Sequence, residues 1–454
     1  MRKKKVISML MTGVIAGSLL MGCGNTQSQQ SADASEGSST SAKVENAADK
    51  SQGDGSETVM TVMCPGTASD TYRETYQEIA DDFSANNEFG VKIQFEFYER
   101  EQFKTKLTTL MASNSVPDMF FTWELDYLRP FVEGGKVYDL TEELNNDSEW
   151  KERFVEGALE PLTYDGKVYA VPTQTTFAMM YYNKQIFADN GVEVPATYEE
   201  FLNVCETLKN NGVVPMTLAA TTAWVPSEFV QQISDGIGGM DLYNGIISGE
   251  KKWNDPAHIE AGEEIQAMIE KGYFQNGMLG MSEDEAKALF QQGKAAMYYM
   301  GAWEVSTFIN EETTPVSEDI GVFSMPAKNP ENNGIIVGSV DSSYAIAESC
   351  ENKEAAVAFL KYYTSQAAQE KLVYNQGRLP AIKMDIDESK LKPLVIDVIE
   401  ISKEAKGMTP WWDRVFGAGE GVEFNNQCLA VFGGDDVQKA FDDLQSFAES
   451  NATR

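Results

Sequence analysis

The stretch from Asp165 to Phe201 constrains the fold of this 454-residue chain more than any other. Its Asp165-Gly166 pair predicts a two-residue hairpin turn, because both positions of such a turn need positive φ. Polar TQTT then leads into an apolar run, Phe177 to Tyr182, that predicts a strand. Asn183 and the capping box Thr197-x-x-Glu200 predict two helix starts. A strand that leaves one packed unit and enters the next across polar residues is typical of a hinge.

Strand and helix patterns alternate on either side of this stretch. Strand, helix, strand, helix and strand follow one another between residues 57 and 122, and Thr71-x-x-Glu74 predicts a capping box for the first helix. A second alternation runs from residue 201 to residue 300 and contains the capping box Ser282-x-x-Glu285. This order predicts an α/β fold with parallel strand pairs and helices on both faces. Roughly four hundred residues are long for one core and suit two domains.

The N-terminus has the charged, apolar and small-residue order of a signal peptide. Basic MRKKK precedes an apolar stretch, Val6 to Leu20, that is short for a membrane span and leads into a lipobox ending in Cys23. We predict that residues 1–23 are a lipoprotein signal peptide and that Cys23 carries a lipid, which would anchor the protein to the extracytoplasmic face of the cell membrane. Residues 24–56 hold too few large apolar side chains to fold and are predicted to be a disordered tether.

The chain is acidic, with 70 Asp and Glu against 36 Lys and Arg and a formal net charge of −34. This charge argues against nucleic acid as a partner, because the phosphates would be repelled. It suits an exported protein, and a receptor for cationic ligands such as polyamines stays an alternative. The cysteines other than Cys23 show no metal-binding spacing and are predicted to be buried free thiols, although spacing leaves a disulfide open: Cys64, Cys205, Cys350 and Cys428.

Residues that could act in catalysis or hold a metal are few. His258 is the only histidine and is predicted to face solvent on the first turn of a helix, so a His-rich metal site is not available and a Ser-His-Asp triad would have to use it. No P-loop, HExxH or G-x-S-x-G motif occurs. The tyrosine pairs at 181–182, 298–299 and 362–363 are predicted to pack in cores rather than bind metal. We predict no enzyme activity, metal or cofactor, with a surface glycoside hydrolase using paired carboxylates as an alternative.

Four segments carry related motifs in a consistent order. DGKVYAVP followed by a strand ending in YYNK spans Asp165 to Lys184, and the others are PDMFFTW (Pro117 to Trp123), ALFQQGKAAMYYMGAW (Ala288 to Trp303) and EAAVAFLKYYTSQAAQEKL (Glu354 to Leu372). Together they resemble family 1 extracellular solute-binding lipoproteins of carbohydrate ABC importers, the group that includes the maltose-binding proteins. The resemblance implies a monomer that captures a carbohydrate between two lobes and delivers it to membrane-embedded permease subunits.

The resemblance also implies a type II periplasmic-binding-protein fold, in which each lobe is a mixed sheet flanked by helices and the chain crosses between lobes at the hinge. On this basis residues 57–172 and 319–380 form lobe 1, and residues 173–318 and 381–454 form lobe 2. The C-terminal helices, near Val422 to Phe432 and Val437 to Phe447, would pack on lobe 2.

Ligands of open α/β sheets lie beyond the carboxyl ends of strands, and between two lobes that position faces a cleft. A sugar there needs flat aromatic surfaces for its C–H face and carboxylates, amides or Arg for its hydroxyls. Residues of these types follow predicted strands or lie in a loop after Thr409-Pro410: Trp123, Glu124, Trp224, Glu228, Trp303, Glu304, Asp341, Trp411, Trp412 and Asp413.

The family resemblance assigns roles to some of these positions. It matches Trp123, Trp224, Trp303 and Trp411 or Trp412 to ligand-stacking positions and brings Asp341 and Asp413 near hydroxyl-binding ones. Arg378, in QGRLP, is either a polar cleft residue or a cation at a helix end. Trp150 and Trp253 lie in polar surroundings away from strand ends and are predicted to be structural.

Overall fold

The computed structural model describes residues 58–451, apart from Ser69. The predictions for the signal peptide, for Cys23 and for the tether fall on residues outside this part of the chain. Among the described residues, no helix has both the length and the apolar character needed to cross a membrane.

Twelve strands and seventeen α-helices are found in the described residues. The strands are β1 (Thr58–Pro65), β2 (Val91–Tyr98), β3 (Met119–Thr122), β4 (Thr163–Tyr164), β5 (Lys167–Val168), β6 (Val171–Asn183), β7 (Val214–Thr217), β8 (Ala295–Gly301), β9 (Ile320–Phe323), β10 (Ile335–Ile346), β11 (Leu379–Pro380) and β12 (Gly407–Thr409).

The α-helices are α1 (Tyr72–Asn86), α2 (Arg100–Ser113), α3 (Arg129–Glu133), α4 (Thr141–Asn146), α5 (Ser148–Arg153), α6 (Lys184–Asn190), α7 (Tyr198–Asn210), α8 (Trp224–Ser248), α9 (Pro256–Glu270), α10 (Glu283–Gln291), α11 (Val305–Phe308), α12 (Lys353–Tyr363), α13 (Gln366–Gln376), α14 (Pro393–Glu404), α15 (Trp412–Val415), α16 (Val422–Phe432) and α17 (Val437–Asn451). Short 3-10 turns include Leu125–Tyr127 and Ala302–Glu304, and a π turn spans Gly417–Gly421.

Ten of the strands belong to one mixed sheet, and β4 with β5 forms a separate hairpin. β1 pairs in parallel with β2 and β3, as the first α/β alternation predicts. β10 runs antiparallel to β3 and β6, and β6 runs antiparallel to β8, β9 and β11. β7 pairs in parallel with β8, and β12 with β10. Parallel pairs therefore lie on both sides of a central antiparallel pair, β6 and β10.

Two hydrophobic cores form along this sheet. The first core contains β1 to β3 with α1, α2 and α12, and the second contains β7 and β8 with α7 to α10, α16 and α17. β6 belongs to both, since Val171 lies in the first core and Phe177 in the second. β10 runs back in the same way, from Ile336 in the second core to Tyr344 in the first. The central pair thus connects two α/β lobes, as predicted for the fold class.

The return of the chain to the first core comes later than the sequence analysis predicts. β9 pairs with the second half of β6, and its Ile320 and Phe323 lie in the second core, because they cover apolar side chains of that half of the strand. Residues from 319 to about 336 therefore pack with the second core, and the chain returns to the first core along β10. The other limits of the two lobes stay a prediction.

Local structure in the central stretch agrees with its turn and capping residues. Asp165 and Gly166 have φ of 50° and 78° at the turn between β4 and β5. Asn183 Oδ1 accepts a hydrogen bond from the Ile186 N–H at 2.8 Å and caps α6. The predicted capping boxes Thr197–Glu200 and Ser282–Glu285 are present at the starts of α7 and α10.

Two local predictions are wrong. Thr71 does not cap α1, because its own backbone is helical, whereas a capping residue needs an extended conformation. Its hydroxyl instead donates to Gln376 Oε1 at 3.3 Å. His258 does not face solvent: it is fully buried in the second core, between the rings of Trp253 and Phe441.

The residues predicted to be structural pack as expected. Trp150 and Trp253 are buried, and their indole N–H groups donate to Thr364 Oγ1 and Glu420 Oε2. The predicted core packing of the tyrosine pairs is confirmed, with Tyr182 and Tyr362 partly buried and the others fully buried: Tyr181, Tyr298, Tyr299 and Tyr363. The four cysteines in the described residues are free and buried, as predicted: Cys64, Cys205, Cys350 and Cys428.

Candidate functional site

A cavity of about 510 Å³ is lined by residues that belong to both lobes. The 3-10 turn after β3, the first turn of α8, the turn after β8 and the loop before α15 all contribute to its walls. Its floor is formed by the central strands β6 and β10. Of the eleven residues that the sequence analysis proposed for a ligand site, nine line this cavity: Trp123, Trp224, Trp303, Glu304, Asp341, Arg378, Trp411, Trp412 and Asp413.

Three indole rings form a continuous group in the cavity wall. The ring centroids of Trp224 and Trp303 are 5.8 Å apart, and those of Trp303 and Trp411 are also 5.8 Å apart. Trp123 lines the wall that belongs to the first lobe, where its ring contacts Tyr127 edge to face at 4.9 Å. Indole rings contributed by both lobes therefore surround one space.

The ring of Trp303 is held in place by a glycine. A Cβ atom on Gly301 would lie 2.1 Å from the Trp303 ring, so the indole rests directly on the backbone of β8. Any larger residue at position 301 would displace this ring, because such a distance is far inside van der Waals contact.

Trp412 lines the cavity at its edge but is mainly a core residue. Only 1% of its surface is exposed, and its ring stacks on Tyr243 at a centroid distance of 4.4 Å. Of the two neighbouring tryptophans in the loop, Trp411 is the one that joins the aromatic group.

Polar side chains on the floor have hydrogen-bonding atoms without a protein partner. Asp341 Oδ1, Gln174 Oε1 and Arg378 Nε are buried and make no hydrogen bond among the described residues. The three residues lie close together in the sheet, because Asp341 of β10 and Pro380 of β11 both pair with Gln174 of β6. Arg378 is 6% exposed and lies over the ring of Tyr72, with no carboxylate of the described residues within ion-pair distance. Two acceptors and one donor are thus left available on the floor.

The surroundings of Asp341 differ from the prediction. The sequence analysis expected it just beyond the end of a strand. In the structure, β10 is continuous from Ile335 to Ile346, because it pairs with β6 on both sides of Asp341. The carboxylate still reaches the cavity from this mid-strand position.

Glu124 and Glu228 do not line the cavity, although the sequence analysis included them. Glu124 follows Trp123 in extended backbone, so the two side chains point to opposite sides. Its Oε2 accepts a hydrogen bond from Arg414 Nη1 at 3.3 Å, and burial raises its pKa to about 7 although Arg414 lowers it. Glu228 lies one turn of α8 below Trp224 and accepts a hydrogen bond from the Trp411 indole N–H at 3.3 Å. Burial also raises the pKa of Glu228. Both carboxyls therefore lie behind the cavity wall and hydrogen-bond to residues that line it, Arg414 and Trp411.

Other lining residues were not singled out from the sequence. Tyr72 and Arg100 lie shortly after β1 and β2. The criterion that selected Trp123, a position just beyond the end of a strand, could therefore have selected them as well. Arg100 lies over the ring of Trp224 at 5.3 Å. Lys287 was not singled out either; it forms an ion pair at 3.3 Å with Glu304, which the sequence analysis did identify, and Glu304 raises the pKa of Lys287 despite its burial. The lining therefore mixes cations and anions with aromatic rings.

This lining suits a ligand with a flat apolar face and several hydroxyl groups. Aromatic rings can cover the apolar face, and the unpartnered donor and acceptors of the floor can bind hydroxyls. Among the described residues, no group of three or more His, Cys, Asp or Glu side chains is arranged to hold a metal ion.

Comparisons with known proteins agree with this architecture. A model of the bacterial extracellular solute-binding protein family matches residues 68–370. An uncharacterized ABC transporter extracellular-binding protein of Pyrococcus horikoshii is 26% identical over 273 residues, which span 59% of this chain. The match covers 61% of that protein's length, which is less than two thirds. The multiple sugar-binding protein of Streptococcus mutans is 25% identical over 331 residues, 70% of this chain and 74% of its own.

A solved structure extends the likeness to the fold. A chitin oligosaccharide binding protein is 28% identical and superposes with a TM-score of 0.78 over 86% of this chain and 98% of its own. The two-lobed type II binding-protein fold predicted from the sequence is thereby confirmed. Because the family model also covers well over half of the sequence, this chain belongs to the bacterial extracellular solute-binding proteins.

Proposed function

We propose that this protein binds a sugar or oligosaccharide in the cavity and delivers it to the membrane-embedded permease subunits of an ABC importer. The proposal rests mainly on one observation: the ring of Trp303 lies 5.8 Å from that of Trp224 and 5.8 Å from that of Trp411, measured between centroids. These rings lie above a floor with unpartnered polar atoms. The proposed ligand-binding residues all line the cavity: Trp123, Gln174, Trp224, Trp303, Asp341, Arg378, Trp411, Trp412 and Asp413.

The aromatic and polar residues would have different roles. The indole rings stack on the C–H faces of sugar rings and supply much of the affinity. Asp341 Oδ1 and Gln174 Oε1 accept hydrogen bonds from ligand hydroxyls, and Arg378 donates one. A sugar that lacked a matching hydroxyl would leave one of these buried atoms unpaired, so the floor supplies the discrimination.

The relatives support a carbohydrate ligand. One is a multiple sugar-binding protein and another is a chitin oligosaccharide binding protein, and each is at least 25% identical to this chain. The lining favours a neutral ligand over a polyamine because it is not a purely acidic cage: Arg100 and Arg378 face the same space as the acids. Ligand contacts to both lobes would favour a closed cleft by population shift.

The remaining features are proposed from the sequence and the family. We propose that lipid on Cys23 anchors the protein to the extracytoplasmic face of the cell membrane, that it acts as a monomer, and that it leaves its ligand chemically intact. Replacing Cys23 with Ala should release the protein from the membrane fraction, and light scattering should give the mass of one chain.

A thermal-shift panel tests the ligand class. The panel holds oligosaccharides of glucose, xylose, galactose and N-acetylglucosamine of increasing length, with spermidine and putrescine as the cationic arm. A ligand at about 100 times its Kd should stabilise the protein by about 2.7 kcal/mol. Stabilisation by polyamines alone would overturn the proposal, and shorter products after prolonged incubation with an oligosaccharide would favour the hydrolase alternative.

A further inference from the structure

Arg414 joins the two walls of the cavity. It belongs to α15, whose Trp412 lies in the second core, and its Nη1 donates to Oε2 of Glu124, which follows β3 of the first core. The Cζ atom of Arg414 also lies 5.0 Å from the Trp123 ring centroid and 5.4 Å from that of Trp411. One guanidinium group thus contacts an indole ring on each side of the cleft.

The backbone around this contact is closely fitted. Gly417, just after α15, has φ of 57°, and a Cβ atom there would lie 3.0 Å from Cβ and O of Asp126. Asp126 belongs to the turn that follows Glu124. The loops that carry Glu124 and Arg414 therefore approach each other at two successive points.

The chemistry of the pair favours a fixed arrangement. The Glu124 side chain is completely buried, so its charge depends on Arg414 for a partner. A planar guanidinium can face aromatic rings and still donate to a carboxylate, which a lysine ammonium cannot do with the same geometry. Separating the two walls would leave the Glu124 carboxyl without a cation and expose both ring faces.

We propose that Arg414 is a positioning residue, which holds the walls bearing Trp123 and Trp411 at the separation at which both rings face a single ligand. Its effect on ligand affinity rests on the proposed function, whereas its effect on the separation of the walls does not.

Distances between spin labels on the two lobes test the proposal without any ligand. Thr109 on α2 and Glu199 on α7 are exposed and can be replaced by Cys, while the native thiols in the described residues are buried. Arg414→Ala should move the interlabel distances to longer values or broaden them. Arg414→Lys should give an intermediate result, because it keeps the charge and loses the planar contact with the rings.

Arg129→Ala is the matched control. Arg129 also pairs with a carboxylate, Asp126 at 2.5 Å, and lies over an aromatic ring, Tyr164, but all three residues are in the first lobe. This variant should leave the interlabel distances unchanged. If Arg414→Ala does not fold, Glu124→Gln replaces it, since it removes the charge at nearly constant shape and should also lengthen the distances.

The outcomes separate the two proposals. Unchanged distances in folded Arg414→Ala, or in Glu124→Gln if the first variant fails, would overturn the positioning role even if sugars bind normally. If no sugar binds the parent protein, the proposed function fails and the distances still decide the role of Arg414. With a bound sugar, Arg414→Ala should weaken affinity by about tenfold and Arg414→Lys by less.

Discussion

Gln174 Nε2 donates a hydrogen bond to Asp341 Oδ2 at 3.1 Å, and this bond joins β6 to β10 in the segment where both strands pass between the two cores. The same amide donates a hydrogen bond at 2.7 Å to Oγ of Ser342, a residue whose own backbone φ is 49°. Because these two bonds use both amide protons, Gln174 Oε1 and Asp341 Oδ1 are held in fixed directions as acceptors. The floor of the cavity is therefore organised before a ligand arrives, which lowers the ordering cost of binding.

Replacing Asp341 with Asn should weaken sugar binding by roughly 10- to 100-fold, because hydrogen bonds to charged groups contribute about 1.5–3 kcal/mol. Titration calorimetry with the most stabilising sugar of the panel measures the change. Asp241→Asn makes the same chemical change at an exposed position of α8 and should bind like the parent. Equal affinities in the two variants would remove Asp341 from the site.

Trp303→Ala should weaken sugar binding by at least about tenfold, or 1.4 kcal/mol, because it removes the central ring of the aromatic group. The protein should remain folded, since Trp303 is only partly buried at the cavity wall. Trp253→Phe is the comparison, because that indole lies in the second core and does not line the cavity. It should lower the melting temperature and leave the affinity close to that of the parent. An affinity of Trp303→Ala equal to that of the parent would exclude Trp303 from the site.

Most features that depend on neighbouring residues could be predicted from the sequence, although the capping box predicted at Thr71 does not form. The turn at Asp165-Gly166 and the capping boxes at Thr197 and Ser282 use side chains within four residues of the groups they bond, so the pattern contains the whole interaction. The positions of Trp303 and Trp411 also followed from local order, because they come directly after a strand or in a loop.

Features that depend on distant residues could not be predicted. Arg414 and Glu124 are 290 positions apart, and nothing near either residue indicates the other. His258 lies on the first turn of α9, where polar residues are common, and only its packing against Phe441 of α17 makes it a core residue. Glu124 follows a strand as a ligand-binding residue would, but tertiary packing decides which of the two alternating side chains, Trp123 or Glu124, faces the cavity.

Gly338→Ala should destabilise the protein by about 1–3 kcal/mol, the usual cost of forcing an extra methyl into a packed site. Gly338 of β10 pairs with Phe177 of β6, and a Cβ atom would lie 2.6 Å from Thr176 O and from Phe177 Cβ. Because a backbone atom is involved, the strands themselves would have to separate. Urea denaturation gives the free energy of unfolding. Gly280→Ala is the control, since no atom lies within 4 Å of its Cβ position, and it should change the free energy of unfolding by less than about 0.5 kcal/mol.

The buried His258 should make the protein less stable in mild acid. Burial lowers its pKa from 6.5 to about 4, although the hydrogen bond to the Trp253 carbonyl raises it. Below pH 6.5 the unfolded chain therefore binds a proton that the folded chain does not bind until about pH 4. The contribution of this histidine is fully present above pH 6.5 and is lost as the pH falls toward 4, by about 3 kcal/mol in total.

His258→Phe isolates this effect, because a phenyl ring can occupy the space between Trp253 and Phe441 without titrating. Urea denaturation between pH 4 and pH 8 should show a smaller loss of unfolding free energy in acid for this variant than for the parent. Burial raises the pKa of Glu124 and of Asp235 to about 7, so these carboxyls stabilise the fold as the pH falls. Their contribution is common to both proteins and cancels in the difference. Parallel curves of unfolding free energy for parent and variant across this range would contradict a neutral, buried His258. A gap between the two curves that changes only between pH 4 and pH 6.5 would support it.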